Sequence, residues 1–197
     1  MRRNDALKGS FAIDLFAMTF GMPRALFPVL ALSVYHAGAA GTGALYAAVS
    51  AGATVAALTT GWLVHARRLG RIVIYAVAAW GLAIAAAGIV DSLWLAVGCL
   101  FVAGAADSVS AVCRSTINQT VTPDALRGRM SSVFMLVVTS GPRLGDLESG
   151  IVASATNARF AVASGGLACL AGVAVVLFAF PALLRYDAEQ ALAAPVS

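Results

Sequence analysis

Apolar positions in this chain neither alternate nor recur every third or fourth residue; they run on continuously for about twenty residues at a time. A helix needs roughly 20 mostly apolar residues to cross the hydrocarbon core of a bilayer. Six runs have that length, at 10–35, 42–64, 72–90, 93–119, 130–155 and 158–181, and 182–197 follows as a tail. Membrane-crossing strands would instead read as short alternating segments, and these Ala-, Leu- and Val-rich runs have no such period. The predicted fold class is all-α: a polytopic membrane protein with six transmembrane helices in one bundle.

Composition closes the soluble alternative. Of the 197 residues, 60% are hydrophobic and only 11% charged, against about a quarter charged in an ordinary globular domain. So little charge cannot cover a water-facing surface, so the partner of the apolar face is the lipid bilayer. A net charge of +4, dispersed along the chain, does not suggest a nucleic-acid partner. A cleaved signal peptide is excluded: the first run is too long, contains Asp14, Pro23, Arg24 and Pro28, and leads into further runs. Cys99, Cys113 and Cys169 lie inside runs, far apart, and read as small packing residues. His36 and His65 fall at opposite membrane faces, and neither His-Glu-x-x-His nor Gly-x-Ser-x-Gly occurs. No metal, cofactor or enzyme chemistry is expected.

The loops orient the bundle. Basic residues gather before the first run (Arg2, Arg3, Lys8), after the second (Arg67, Arg68, Arg71), after the fourth (Arg127, Arg129) and in the tail (Arg185), whereas the alternate loops carry only Asp91 and Arg159. The positive-inside rule then places both termini in the cytoplasm, in a cell (inner) membrane. Tyr35, Tyr46 and Trp94 fall at outer ends, and Trp62, Tyr75 and Tyr186 at inner ends, as interfacial aromatics do. Trp80 sits mid-run, as packing or as a pocket wall.

Ionisable residues inside the runs are the informative ones, because a charge at the bilayer centre costs several kcal/mol and so faces protein or a wet cavity. Counting at about 1.5 Å per residue, Asp14, Asp107 and Arg114 fall at one depth near the cytoplasmic side. Arg24 and Arg143 lie about 20 Å above the starts of the first and fifth runs, with Asp146 and Glu148 just above Arg143. Arg143 and Asp146, at i and i+3, are placed to pair. Two charged layers result, one near each entrance. They serve as gates or a proton relay, since a carboxylate removed from water takes up a proton more readily; alternatively they are static ion pairs, with Arg114 snorkelling to the inner surface. Asp14 and Asp107 are the preferred proton carriers, having no adjacent base.

Helix breakers coincide with these charges. Gly21, Pro23 and Pro28 predict a bend or unwinding in the first run. Gly141-Pro142-Arg143-Leu144-Gly145 predicts a break in the fifth, with Gly141 and Gly145 spaced to admit another helix and Pro142 leaving a carbonyl without its partner. Kinked helices bearing buried charge are typical of transport pathways.

On these residues the chain resembles the major facilitator superfamily. Gly61-Trp62-Leu63-Val64-His65-Ala66-Arg67-Arg68-Leu69-Gly70-Arg71 is similar to that family's inner-loop signature, with His65 at the acidic position and the Gly-Arg displaced by two residues. Gly141–Gly145 looks like its Gly-Pro-x-x-Gly antiporter motif. FGMPRALFP, RSTINQTVTPDALRGRMSSVF and TSGPRLGDLESG resemble the bacterial exporter branch that holds enterobactin exporters and transmembrane secretion effectors. The resemblance implies proton-driven efflux of a small-molecule substrate by alternating access. It also implies that these six helices are the C-terminal half of a twelve-helix architecture. The expected partner is then a missing N-terminal half or a second copy of the chain; a stand-alone homodimeric channel or transporter, or a truncated and inactive one, are the alternatives.

Overall fold

The computed structural model describes residues 2–21, 23–66, 68–121 and 127–181. Every regular element among them is helical. The first span is composite. Helix α1 (Arg2–Phe20) stops at Gly21. After Pro23 a single 3-10 turn (Arg24–Leu26) leads into α2 (Phe27–Val29) and a π-helical turn (Leu30–Val34). The remaining spans are α3 (Gly38–Thr59), running on into a 3-10 segment (Thr60–His65), α4 (Leu69–Ile89), α5 (Leu93–Val121), α6 (Arg127–Ala155) and α7 (Ala158–Ala179). The chain is thus a multi-pass all-α membrane protein, with the six helical regions falling where the six apolar runs predict them.

Boundaries moved for local reasons. The last helix ends before Pro181, because the residue preceding a proline is pushed out of the helical region, and Phe180 has φ −129° and ψ 63°. At its start Asn157 caps α7, its side chain accepting from the Phe160 N–H at 2.9 Å. Five spans are long and apolar enough to cross a membrane on composition alone; α6 is not among them, since Arg143, Asp146 and Glu148 dilute its apolar run. The predicted tail 182–197 lies outside the described residues.

In the packing order α3 lies on α5, α5 on α4, and α4 on α7, while α1 bridges α6 and α7. Between membrane helices there is no hydrophobic drive, so close van der Waals approach through small residues holds them. Gly104 of α5 presses on the backbone of Val49, and Gly52 of α3 on that of Phe101. Gly88 meets Arg159 and Ala163, and Gly166 meets Gly81 and Ala85, which seats α4 on α7.

One end of α4 is clamped. Arg159 donates to the carbonyls of Gly88 (3.3 Å) and Ile89 and pairs with Asp91, and the Tyr35 hydroxyl donates to Ala87 at 3.1 Å. These side chains satisfy carbonyls that the helix end leaves open. Two of the predicted interfacial aromatics therefore serve as ties between spans. Tyr35 joins the first span to α4, and Tyr46 joins α3 to Arg24. Trp94 and Tyr75 do face outward, and Trp80 is packing, only 2% exposed.

Candidate functional site

The site begins with the sequence of α5. Asp107, Ser110, Arg114 and Asn118 are spaced by three, four and four residues, which puts them on one helix face. Opposite them α1 presents Asp14. Asp14 and Arg114, each 1% exposed, form an ion pair at 3.2 Å, and a second nitrogen of Arg114 lies 3.8 Å from Asp107. Two carboxylates from two spans thus share one guanidinium. Neither contact has hydrogen-bond geometry. Asp14 Oδ2, Arg114 Nε and Ser110 Oγ are buried without a hydrogen-bond partner among the described residues, so this cluster is polar and only partly satisfied.

That arrangement corrects one expectation. Arg114 does not snorkel to the inner surface: its whole side chain is enclosed, because α1 crosses α5 at this height and offers a carboxylate closer than any surface. The signal was the seven-residue spacing from Asp107; the partnership with Asp14 was not visible.

The break in the first span comes next. Gly21 follows α1, and Pro23, which has no N–H to give, follows Met22 outside the described residues. In a bilayer, the backbone groups freed by such a break must be satisfied from inside the protein. Two side chains from other helices do this. Asp146 of α6 accepts the Ala25 N–H at 3.0 Å, and the Tyr46 hydroxyl of α3 donates to the Arg24 carbonyl at 2.9 Å. Pro28 lies at the start of the resumed helix, where a missing N–H costs nothing.

Asp146 therefore does not pair with Arg143, as their spacing suggested; no ion pair joins them among the described residues. A fixed backbone donor aimed at the carboxylate holds it instead. The expected break at Pro142 is absent too, for α6 runs unbroken from Arg127 to Ala155. One missing hydrogen bond is tolerable in a helix seated closely on another. Gly141 and Gly145 provide that seat: a Cβ on Gly141 would lie 2.7 Å from that of Met18, and one on Gly145 the same distance from the Met18 carbonyl oxygen. The helix that they admit is α1.

If Asp146 is a cap for Ala25, Asp146→Asn should melt like the wild type, since the amide oxygen still accepts, whereas Asp146→Ala should lose about 0.5–2 kcal/mol, the usual worth of a cap. Thermal unfolding of the detergent-purified variants checks this; equal loss in both would mean that the charge, not the acceptor, matters.

The two charged layers are not separate. A cavity of 20 Å³, room for about one water, is lined by Pro23, Arg24, Phe27, Trp80 and Asp107 among others. Asp107, near the middle of α5, thus communicates with Arg24 at the break. Glu148 is half-buried elsewhere on α6. Of the inner-loop residues, Gly61, Arg68 and Arg71 are exposed, Gly70 is buried and Arg67 lies outside the described residues. No ion pair ties Arg68 or Arg71 to the cluster among the described residues.

A composite first span, a carboxylate–guanidinium cluster inside apolar helices and tight glycine contacts describe a membrane transport protein, and the sequence comparisons agree. Residues 5–195 match the transmembrane secretion effector family, and the chain belongs to that family of the major facilitator superfamily. Among curated relatives it is similar to the enterobactin exporter of Citrobacter koseri, 34% identical over 155 residues, which are 78% of this chain and 37% of the relative. The enterobactin exporters of Escherichia coli and Shigella boydii are 35% identical over the same length. The chain thus matches just over a third of the length of these relatives. No solved structure matches it.

Proposed function

We propose that this chain forms the C-terminal six-helix half of an exporter that moves a small molecule out of the cell by alternating access, coupled to protons. The observation that carries the reading is the Asp14–Arg114–Asp107 cluster. Two carboxylates buried inside apolar spans beside one guanidinium are costly to keep, and a proton taken up by either would relieve the excess negative charge. Asp14 and Asp107 are the proton carriers in this reading, and the break at Gly21–Pro23 is where the first span bends as access alternates. The membrane is the inner one, with both termini cytoplasmic. The enterobactin-exporting relatives put secreted metabolites first among substrates.

The outward face of α6 supports the need for a partner. Ser132, Thr139 and Arg143 are exposed along it, and lipid is a poor neighbour for them. An N-terminal half is the partner of choice; a second copy would cover the same face. Immunoblotting of native membranes separates the two, since one polypeptide holding both halves runs at about twice the 20.0 kDa of this chain.

The functional test is enterobactin efflux by the intact transporter in cells lacking their own exporter. Asp14→Asn and Asp107→Asn should each abolish efflux while the amount of protein in the membrane stays unchanged. Efflux persisting in both variants would overturn the assignment.

A further inference from the structure

The three guanidiniums of the polar region are not equivalent. Arg114 is committed to Asp14 and Asp107. Arg24 and Arg143 are exposed, and neither guanidinium has an ion pair or a hydrogen bond among the described residues. The nearby carboxylates are engaged elsewhere: Asp107 faces Arg114, and Asp146 holds the Ala25 N–H. A free guanidinium at this depth of a span is costly against lipid, so both must face a polar phase or an anion.

One contact brings them together. Ala25 follows Arg24 directly, and Asp146 stands one turn beyond Arg143, so the 3.0 Å bond between Ala25 and Asp146 sets the two cationic residues at either side of a single junction. From Arg143 an open recess of 620 Å³ runs along α6, with Met135 and Leu136 as its apolar wall and Thr139 between them and the arginine. That volume is in the range of small-molecule sites. Beside Arg24, the ring of Tyr46 packs against Phe27, with its centroid 5.1 Å away, and remains partly exposed.

We propose that Arg24 and Arg143 form the binding site for an amphiphilic organic anion: an acidic group held by two guanidiniums, with an apolar body lying along Met135 and Leu136. The planar fork of arginine suits a carboxylate or phosphate, where two parallel N–H donors meet two oxygens. The site rests on the export reading for its purpose, since it names the class of substrate that the bundle would carry. Its binding chemistry stands apart from transport.

The test is equilibrium binding to the full chain in lipid nanodiscs, read by fluorescence anisotropy with empty nanodiscs subtracted. Two xanthene dyes of opposite charge, anionic carboxyfluorescein and cationic rhodamine, serve as probes. Carboxyfluorescein should bind more tightly than rhodamine. Arg24→Gln and Arg143→Gln should each weaken it about tenfold, the order expected for losing one charge-assisted contact, and the corresponding lysine variants, which keep the charge without the fork, should fall between. Far-UV circular dichroism confirms that each variant is folded, and both side chains are exposed, so their loss leaves the core intact. Tighter binding of rhodamine, or glutamine variants that bind carboxyfluorescein like the wild type, would overturn the site. A chain that selects the anion yet exports nothing would sink the export reading alone; export without anion preference would sink this site alone.

Discussion

Replacing Arg114 by leucine should cost about 3–5 kcal/mol, the loss seen when one partner of a buried ion pair is removed and the other is left uncompensated. Here two carboxylates would be stranded, Asp14 at 1% exposure and Asp107 at 23%. The loss should appear as a sharp fall in the unfolding temperature of the detergent-purified chain and in its yield from membranes. Combining Arg114→Leu with Asp14→Asn should recover a large part of it, because the more deeply buried charge goes with its counter-charge. Arg114→Lys should recover less, since one ammonium on a single stem cannot address carboxylates on both α1 and α5 as a guanidinium does. If the leucine variant melts like the wild type, the cluster is not a tightly coupled unit, and Arg114 could not govern the charge on either carboxylate.

Gly104→Leu should be comparably severe for an unrelated reason. A Cβ at this position would lie 2.8 Å from the carbonyl carbon of Val49 and 2.9 Å from its Cα, and closer still to the carbonyl oxygen. Those atoms are backbone and cannot rotate away, so α3 and α5 must separate. Overpacking typically costs about 1–3 kcal/mol, occasionally more, and helices in a bilayer have little besides such contacts to hold them. Gly104→Ala should already lower the unfolding temperature. Gly98, on the same helix with nothing within 4 Å of its would-be Cβ, is the internal control. Gly98→Ala should be neutral or stabilising by up to about 1 kcal/mol, as alanine is the better helix former. Equal effects at positions 98 and 104 would mean that helix propensity, not the α3–α5 contact, sets the response.

Local readings succeeded where the deciding quantity was itself local. The length of each apolar run marks a span because the thickness of the hydrocarbon core is a fixed yardstick. Gly21 and Pro23 interrupt the first span because neither supports a helix interior there. The periodicity Asp107, Ser110, Arg114, Asn118 could be read as one face of α5 with no knowledge of its neighbours. Pro142 shows the limit of such reasoning. It has the same chemistry as Pro23, yet α6 passes through it unbroken, since Gly141 and Gly145 let α1 lie close enough to hold the helix.

The sequence by itself determined the all-α class, the six helical regions, the membrane as solvent, and which residues are too polar to face lipid. Each follows from composition and spacing within a single helix. Only the tertiary structure decided which of those polar residues meet. Asp14 reaches Arg114 across 100 positions of chain, and Asp146 reaches Ala25 across 121, through helix crossings set by the small residues that let backbones touch. A nearest-neighbour reading paired Arg143 with Asp146 and left Arg114 to the surface. Packing instead gave Asp146 to a broken backbone and Arg114 to two buried acids, because in a bilayer an unsatisfied N–H or carboxylate has no water to turn to, and the nearest partner in space takes the place of the nearest in sequence.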